Sequence, residues 1–126
     1  MLEFKKWPGY APASHWLYKL EHALASLALL AALHLASIRA GLDLAPTAFF
    51  LLAPDLPLVA IVLASRKGKW PPWGSNAYNF THNFAVWLAA LAVALHLTGT
   101  IYWPVFAWAL HITLDRTIGF NLRSEK

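Results

Sequence analysis

His111 and Asp115 stand four residues apart in the last long apolar run of a 126-residue chain. On a helix that spacing sets an imidazole and a carboxylate one above the other on a single face. Ionisable groups in segments apolar enough for a bilayer are expensive, and they face a bundle interior or a cavity. Three further residues of this kind, Glu21, Asp55 and His82, fall on three other apolar runs. At about 1.5 Å per residue, Glu21, Asp55, His82 and His111 lie on the order of 10 to 15 Å from helix ends on the same side. Asp115 is one turn nearer that side. Carboxylates and imidazoles meeting at one depth from several helices are how metal sites are built in bundles.

The sequence has no cysteine, which excludes thiolate and iron–sulfur sites and leaves His, Asp, Glu and Asn as donors. Asp55, His82, His111 and Asp115 are therefore the predicted ligands of a zinc, manganese or iron ion. Glu21 and Asp115 are the predicted catalytic groups, Glu21 as a general base or further ligand. Asn79 and Asn83 share the helical face of His82 and are predicted to brace the ligands from behind.

Two other chemistries use the same residues. Buried His, Asp and Asn also hold membrane helices together by hydrogen bonds, with no metal and no reaction. His34 and His96 form a second layer, and His82 and His96, fourteen residues apart, share a face of a continuous helix at about 100° per residue. Paired histidine layers are what a b-type haem protein needs. His22 and His34, twelve apart, fall about a third of a turn out of line, and carboxylates are unexpected beside such an iron.

The elements that carry these residues are long and apolar. Hydrophobic residues make up 59% of the chain, charged ones 13%, and the mean hydropathy is +0.48. One all-α transmembrane domain over residues 1–126 is predicted, a polytopic four-helix bundle with helices at about 14–38, 45–65, 75–98 and 102–118. Ser14 is the predicted cap of the first helix, Pro54 and Pro57 kink the second beside Asp55, and Gly119 ends the fourth. Met1 to Ala13 lacks the short apolar core and cleavage site of a signal peptide.

The formal charge of +4 does not point to nucleic acid, because Lys and Arg sit at the ends of apolar runs and not on one polar face. Lys5, Lys6, Lys19, Arg66, Lys67, Lys69, Arg116, Arg123 and Lys126 fall on one side, and Arg39 alone on the other. The positive-inside rule then puts both termini and the basic Arg66–Gly74 loop in the cytoplasm, in a bacterial inner membrane. A chain this small also allows an oligomer.

Four stretches carry a resemblance: Leu20-Glu21, Phe50-Leu51-Leu52-Ala53-Pro54-Asp55-Leu56, Ala77-Tyr78-Asn79-Phe80-Thr81-His82, and Trp108 to Arg116 followed by Gly119-Phe120-Asn121-Leu122. From about Leu20 to Arg123 the chain resembles an uncharacterised family of small bacterial membrane proteins, the domain of unknown function numbered 4260. That resemblance implies an architecture and no activity. More loosely the chain resembles inner-membrane metal-dependent hydrolases, which also place Asp and His on successive helices. The resulting expectation is a metal site near the cytoplasmic side that hydrolyses an amphiphilic ester or phosphoester.

Overall fold

The computed structural model describes residues 15–123. It contains α1 (Trp16–Arg39), α2 (Leu44–Leu52), a 3-10 turn (Ala53–Asp55), α3 (Leu56–Ala64), α4 (Gly74–Thr81), α5 (Phe84–Thr98) and α6 (Val105–Ile118). Among the described residues there is no strand, only an isolated bridge between Arg66 and Lys69 in the basic loop. Lys67 and Gly68 both turn with positive φ to close it.

Each boundary has a local cause. Ser14, the expected first cap, lies outside the described residues, and the Nδ1 of His15 accepts the N–H of Leu17 at 3.2 Å instead. Asp43 caps α2 through the N–H of Ala45. Gly99 and Gly119 end α5 and α6 in the left-handed conformation that side chains resist.

Trp16–Arg39 and Leu44–Ala64 are each long and apolar enough to cross a membrane. The pair α4 and α5 makes a third candidate if it counts as one span, but it bends by 52° at His82–Asn83. The single helix predicted over 75–98 is thus two. Phe84 to His96 reads as uninterrupted grease, and Asn83 breaks it by capping a new helix, its Oδ1 accepting the N–H of Ala85 at 2.8 Å. The helix predicted at 102–118 begins at Val105 and has 14 residues. At 1.5 Å per residue it reaches about 21 Å, short of the ~30 Å hydrocarbon layer.

That shorter helix is the centre of the molecule. α1, α2 and α5 all pack on α6, and α3 packs on α4. Val105, Ala107, Ala109, Leu110, Ile112 and Thr113 of α6 are buried, while α1 buries only Ser26, Leu33 and Ala36. In lipid, apolar burial between helices contributes little, so close approach of small residues and hydrogen bonds must join them. Ser26 donates to Thr113 at 2.8 Å across the α1–α6 seam, and the indole of Trp87 donates to the carbonyl of Val105 at 2.9 Å across α5–α6. The outer surface is apolar: Leu24, Leu27 and Leu30 of α1 and Val59, Val62 and Leu63 of α3 are exposed. Such an exterior suits lipid and not water.

Candidate metal centre

Both interrupted segments break at the same place in the fold. Pro54 and Pro57 remove two helical donors, and the chain answers by tightening into the 3-10 turn Ala53–Asp55. In that register the N–H of Asp55 reaches Leu52 and leaves the carbonyl of Leu51 to another partner. His111 takes it, its Nδ1 lying 2.7 Å from that oxygen. At the second break Ala85 turns to its own cap, and the carbonyl of Thr81 accepts the indole N–H of Trp108 at 2.6 Å. The two breaks are also joined directly, because the Thr81 hydroxyl donates to the carbonyl of Pro54 at 2.8 Å. Irregular backbone survives at membrane depth only when protein satisfies it this way.

His82 occupies the end of α4 and is 3% exposed. Its ring stacks on Tyr78 with centroids 3.9 Å apart and planes within 14°. Its Nδ1 lies 2.9 Å from the carbonyl of Tyr78 and 3.1 Å from the Thr81 hydroxyl. A carbonyl only accepts, so in both histidines Nδ1 carries the hydrogen and Nε2 is turned inward.

The inward atoms converge. His82 Nε2 lies 3.3 Å from Asp55 Oδ1 and 3.2 Å from Asp115 Oδ2. His111 Nε2 lies 3.3 Å and 3.4 Å from the same two oxygens. Neither Nε2 makes a hydrogen bond, although both are buried. Each sits within ion-pair reach of both carboxylates.

The structure therefore brings Asp55, His82, His111 and Asp115 into one group able to hold a metal ion, with ligand atoms all within 4.8 Å of one another. A regular tetrahedron with metal–donor distances of about 2.0–2.1 Å has edges of roughly 3.3–3.4 Å. The four nitrogen–oxygen separations are nearly those edges. Each histidine also shows the outer contact typical of metal-bound imidazole, the other ring N–H held by a backbone carbonyl.

The remaining predicted residues lie elsewhere. Glu21 is on an exposed face of α1 and is not in the group. Asn79 holds the chain after α6 against α4, its amide donating to the carbonyl of Arg123 and its oxygen accepting the Arg123 N–H, both at 2.7 Å. Asn83 is the α5 cap. Arg116 lies over the Phe84 ring at 4.7 Å. His34 and His96 are exposed, and the bend between α4 and α5 removes the common face assumed for His82 and His96.

Tyr78, Thr81 and Trp108 were not among the predicted site residues, yet they position the cluster. Trp108 stands three residues before His111, one turn away on the same face, which is the signal that points to it. A cavity of 350 Å³ adjoins the cluster, lined by Asp55, Asp115 and Tyr78 together with Leu58, Trp70, Gly119, Phe120, Asn121 and Arg123. The Asp55 side chain, 48% exposed, is the ligand most open to it.

Fold and cluster together define a small helical protein with helices long and apolar enough to cross a membrane and a two-histidine, two-aspartate group in which His82 is buried and the Asp55 side chain exposed. The chain belongs to the family described as Domain of unknown function (DUF4260), whose model matches residues 15–126. No curated protein and no solved structure matches it.

Proposed function

We propose that the cluster is a divalent-metal centre and that the protein is a metal-dependent hydrolase of an amphiphilic substrate. One observation carries the metal: two buried Nε2 atoms, each ring held through Nδ1 by a backbone carbonyl, stand 3.2–3.4 Å from two carboxylate oxygens. The donor set suits zinc first, then manganese or iron. Such an ion polarises a carbonyl or phosphoryl oxygen and makes water a nucleophile at neutral pH.

The chain's own residues divide the remaining tasks. His82 and His111 are held by the carbonyls of Tyr78 and Leu51 and keep their geometry through a reaction. Asp55 faces the cavity and marks the side from which substrate approaches. Asp115 lines the same cavity and, with His82, His111 and Asp55 holding the ion, would be free to take the proton of an attacking water. Glu21 has no part. We place the protein in the bacterial inner membrane with termini and basic loop cytoplasmic, as the Lys and Arg distribution favours, and with α6, shorter than the hydrocarbon layer, packed among the other helices.

Elemental analysis with an absorption spectrum of the detergent-purified protein, beside His111→Ala, tests this. About one zinc, manganese or iron per chain, absent from the variant, is the expected result. A metal-free protein whose variant is merely less stable would make the cluster a clamp, and a Soret band would make it a haem site.

A further inference from the structure

We propose that the cleft leading from the cluster binds a phosphate-bearing amphiphile, an inference that rests on the metal reading for which end of the ligand reacts. Its phosphate lies between Arg123 and Lys69, and its hydrocarbon lies along Leu58 and Phe120. A second cavity, of 580 Å³ and including Lys69, adjoins the first, and Trp70 and Arg123 line both. Trp70 and Arg123 thus stand where the two cavities meet, with Asp55 and Asp115 on one side and the basic loop on the other.

Arg123 is placed rather than loose. Asn79 fastens its backbone by two hydrogen bonds of 2.7 Å, and its guanidinium lies 3.6 Å over the Trp70 ring. Among the described residues neither Arg123 nor Lys69 pairs with a carboxylate. Two cations from separate segments, unneutralised at the rim of a cavity, are a phosphate-recognition arrangement, and the planar guanidinium supplies its directional half.

The inner end has the opposite character. Asp55 and Asp115 together cancel the charge of a bound divalent ion, whereas Arg123 and Lys69 carry two unneutralised positive charges, so the phosphate stays at the outer end. Leu58 and Phe120 line the inner cavity, and Phe120 is 61% exposed beside exposed Ile118 and Leu122, which opens the apolar wall toward the lipid-facing surface. Free phosphate would leave that wall unused.

The test measures binding of dihexanoyl phosphatidic acid to the full chain in maltoside micelles, beside dihexanoyl phosphatidylcholine and inorganic phosphate. Arg123→Gln and Lys69→Gln are compared with wild type, with zinc content and circular dichroism recorded for each. Phosphatidic acid is expected to bind about 10-fold more tightly than either control, and each variant to lose roughly 10-fold with zinc unchanged. Lys69 lies in an exposed loop, so its variant keeps the test open if Arg123→Gln unfolds. Equal affinity in wild type and both folded variants would overturn the phosphate site. Inorganic phosphate binding as tightly as the lipid would overturn the amphiphile. A cleft that behaves as expected in a protein that takes up no zinc would sink the metal reading alone.

Discussion

His111 Nδ1 lies 2.7 Å from the carbonyl of Leu51, sixty residues earlier in the chain. A ring nitrogen reaches that oxygen because the helix beneath it has changed register at Ala53–Asp55. The proline-broken backbone thus orients a ligand as well as carrying one, since Asp55 closes the same turn. Pro54→Ala should let the helix run on. Thermal stability in detergent is expected to hold or rise, while zinc affinity falls about 10- to 100-fold as the outer contact is lost. Parallel loss of both, or of neither, would sever the link between the break and the site.

Trp108 and Thr81 hold the other break through bonds of 2.6 and 2.8 Å. Trp108→Phe leaves the Thr81 carbonyl unsatisfied and should cost about 1–2 kcal/mol. Thr81→Val should cost about 0.6–1 kcal/mol. Because both act on one break, the double variant should lose less than the sum. Unfolding in detergent reads all three, and strict additivity would show the two bonds to be independent.

Tyr78 acts on His82 through its ring face, with centroids 3.9 Å apart. Tyr78→Phe keeps that face and is expected to bind zinc as wild type does. Tyr78→Ala should bind roughly 10-fold more weakly, as a ligand loses its support. A zinc titration that finds Phe as damaging as Ala would move the role to the hydroxyl.

Ser26 and Thr113 give the contrasting case, polar groups that only join helices. Ser26→Ala should lower stability by about 0.6 kcal/mol and leave the metal content unchanged. Metal loss in this variant would mean that the α1–α6 seam and the cluster are coupled.

The four converging residues were readable from their types and depths, because carboxylates and imidazoles in apolar runs have few places to go. Glu21 met the same depth criterion and stands outside. Depth along a helix leaves rotation about its axis open, and Glu21 faces outward on α1. The interruption at Pro54 and Pro57 was legible in the prolines, and it takes the form of a 3-10 turn. Its companion was not, since Asn83 sits before fifteen residues that all read as helix, and a cap is invisible when the preceding turn is helical too. Asn79 and Asn83 share a face only if the helix continues, and it does not. The fourth helix was read from about residue 102, and it begins at Val105, after Pro104.

Synthesis delivers α6 after the other described helices, and with it His111, Asp115 and Trp108. Until it enters, the carbonyls of Leu51 and Thr81 have no side-chain partners in the membrane, and half of the ligand set does not yet exist. The earlier segments are thus inserted in an unfinished state that only α6 can close. A chain stopped at Thr100 should be inserted yet fail to accumulate, and pulse-chase labelling would show it cleared well before the full-length protein.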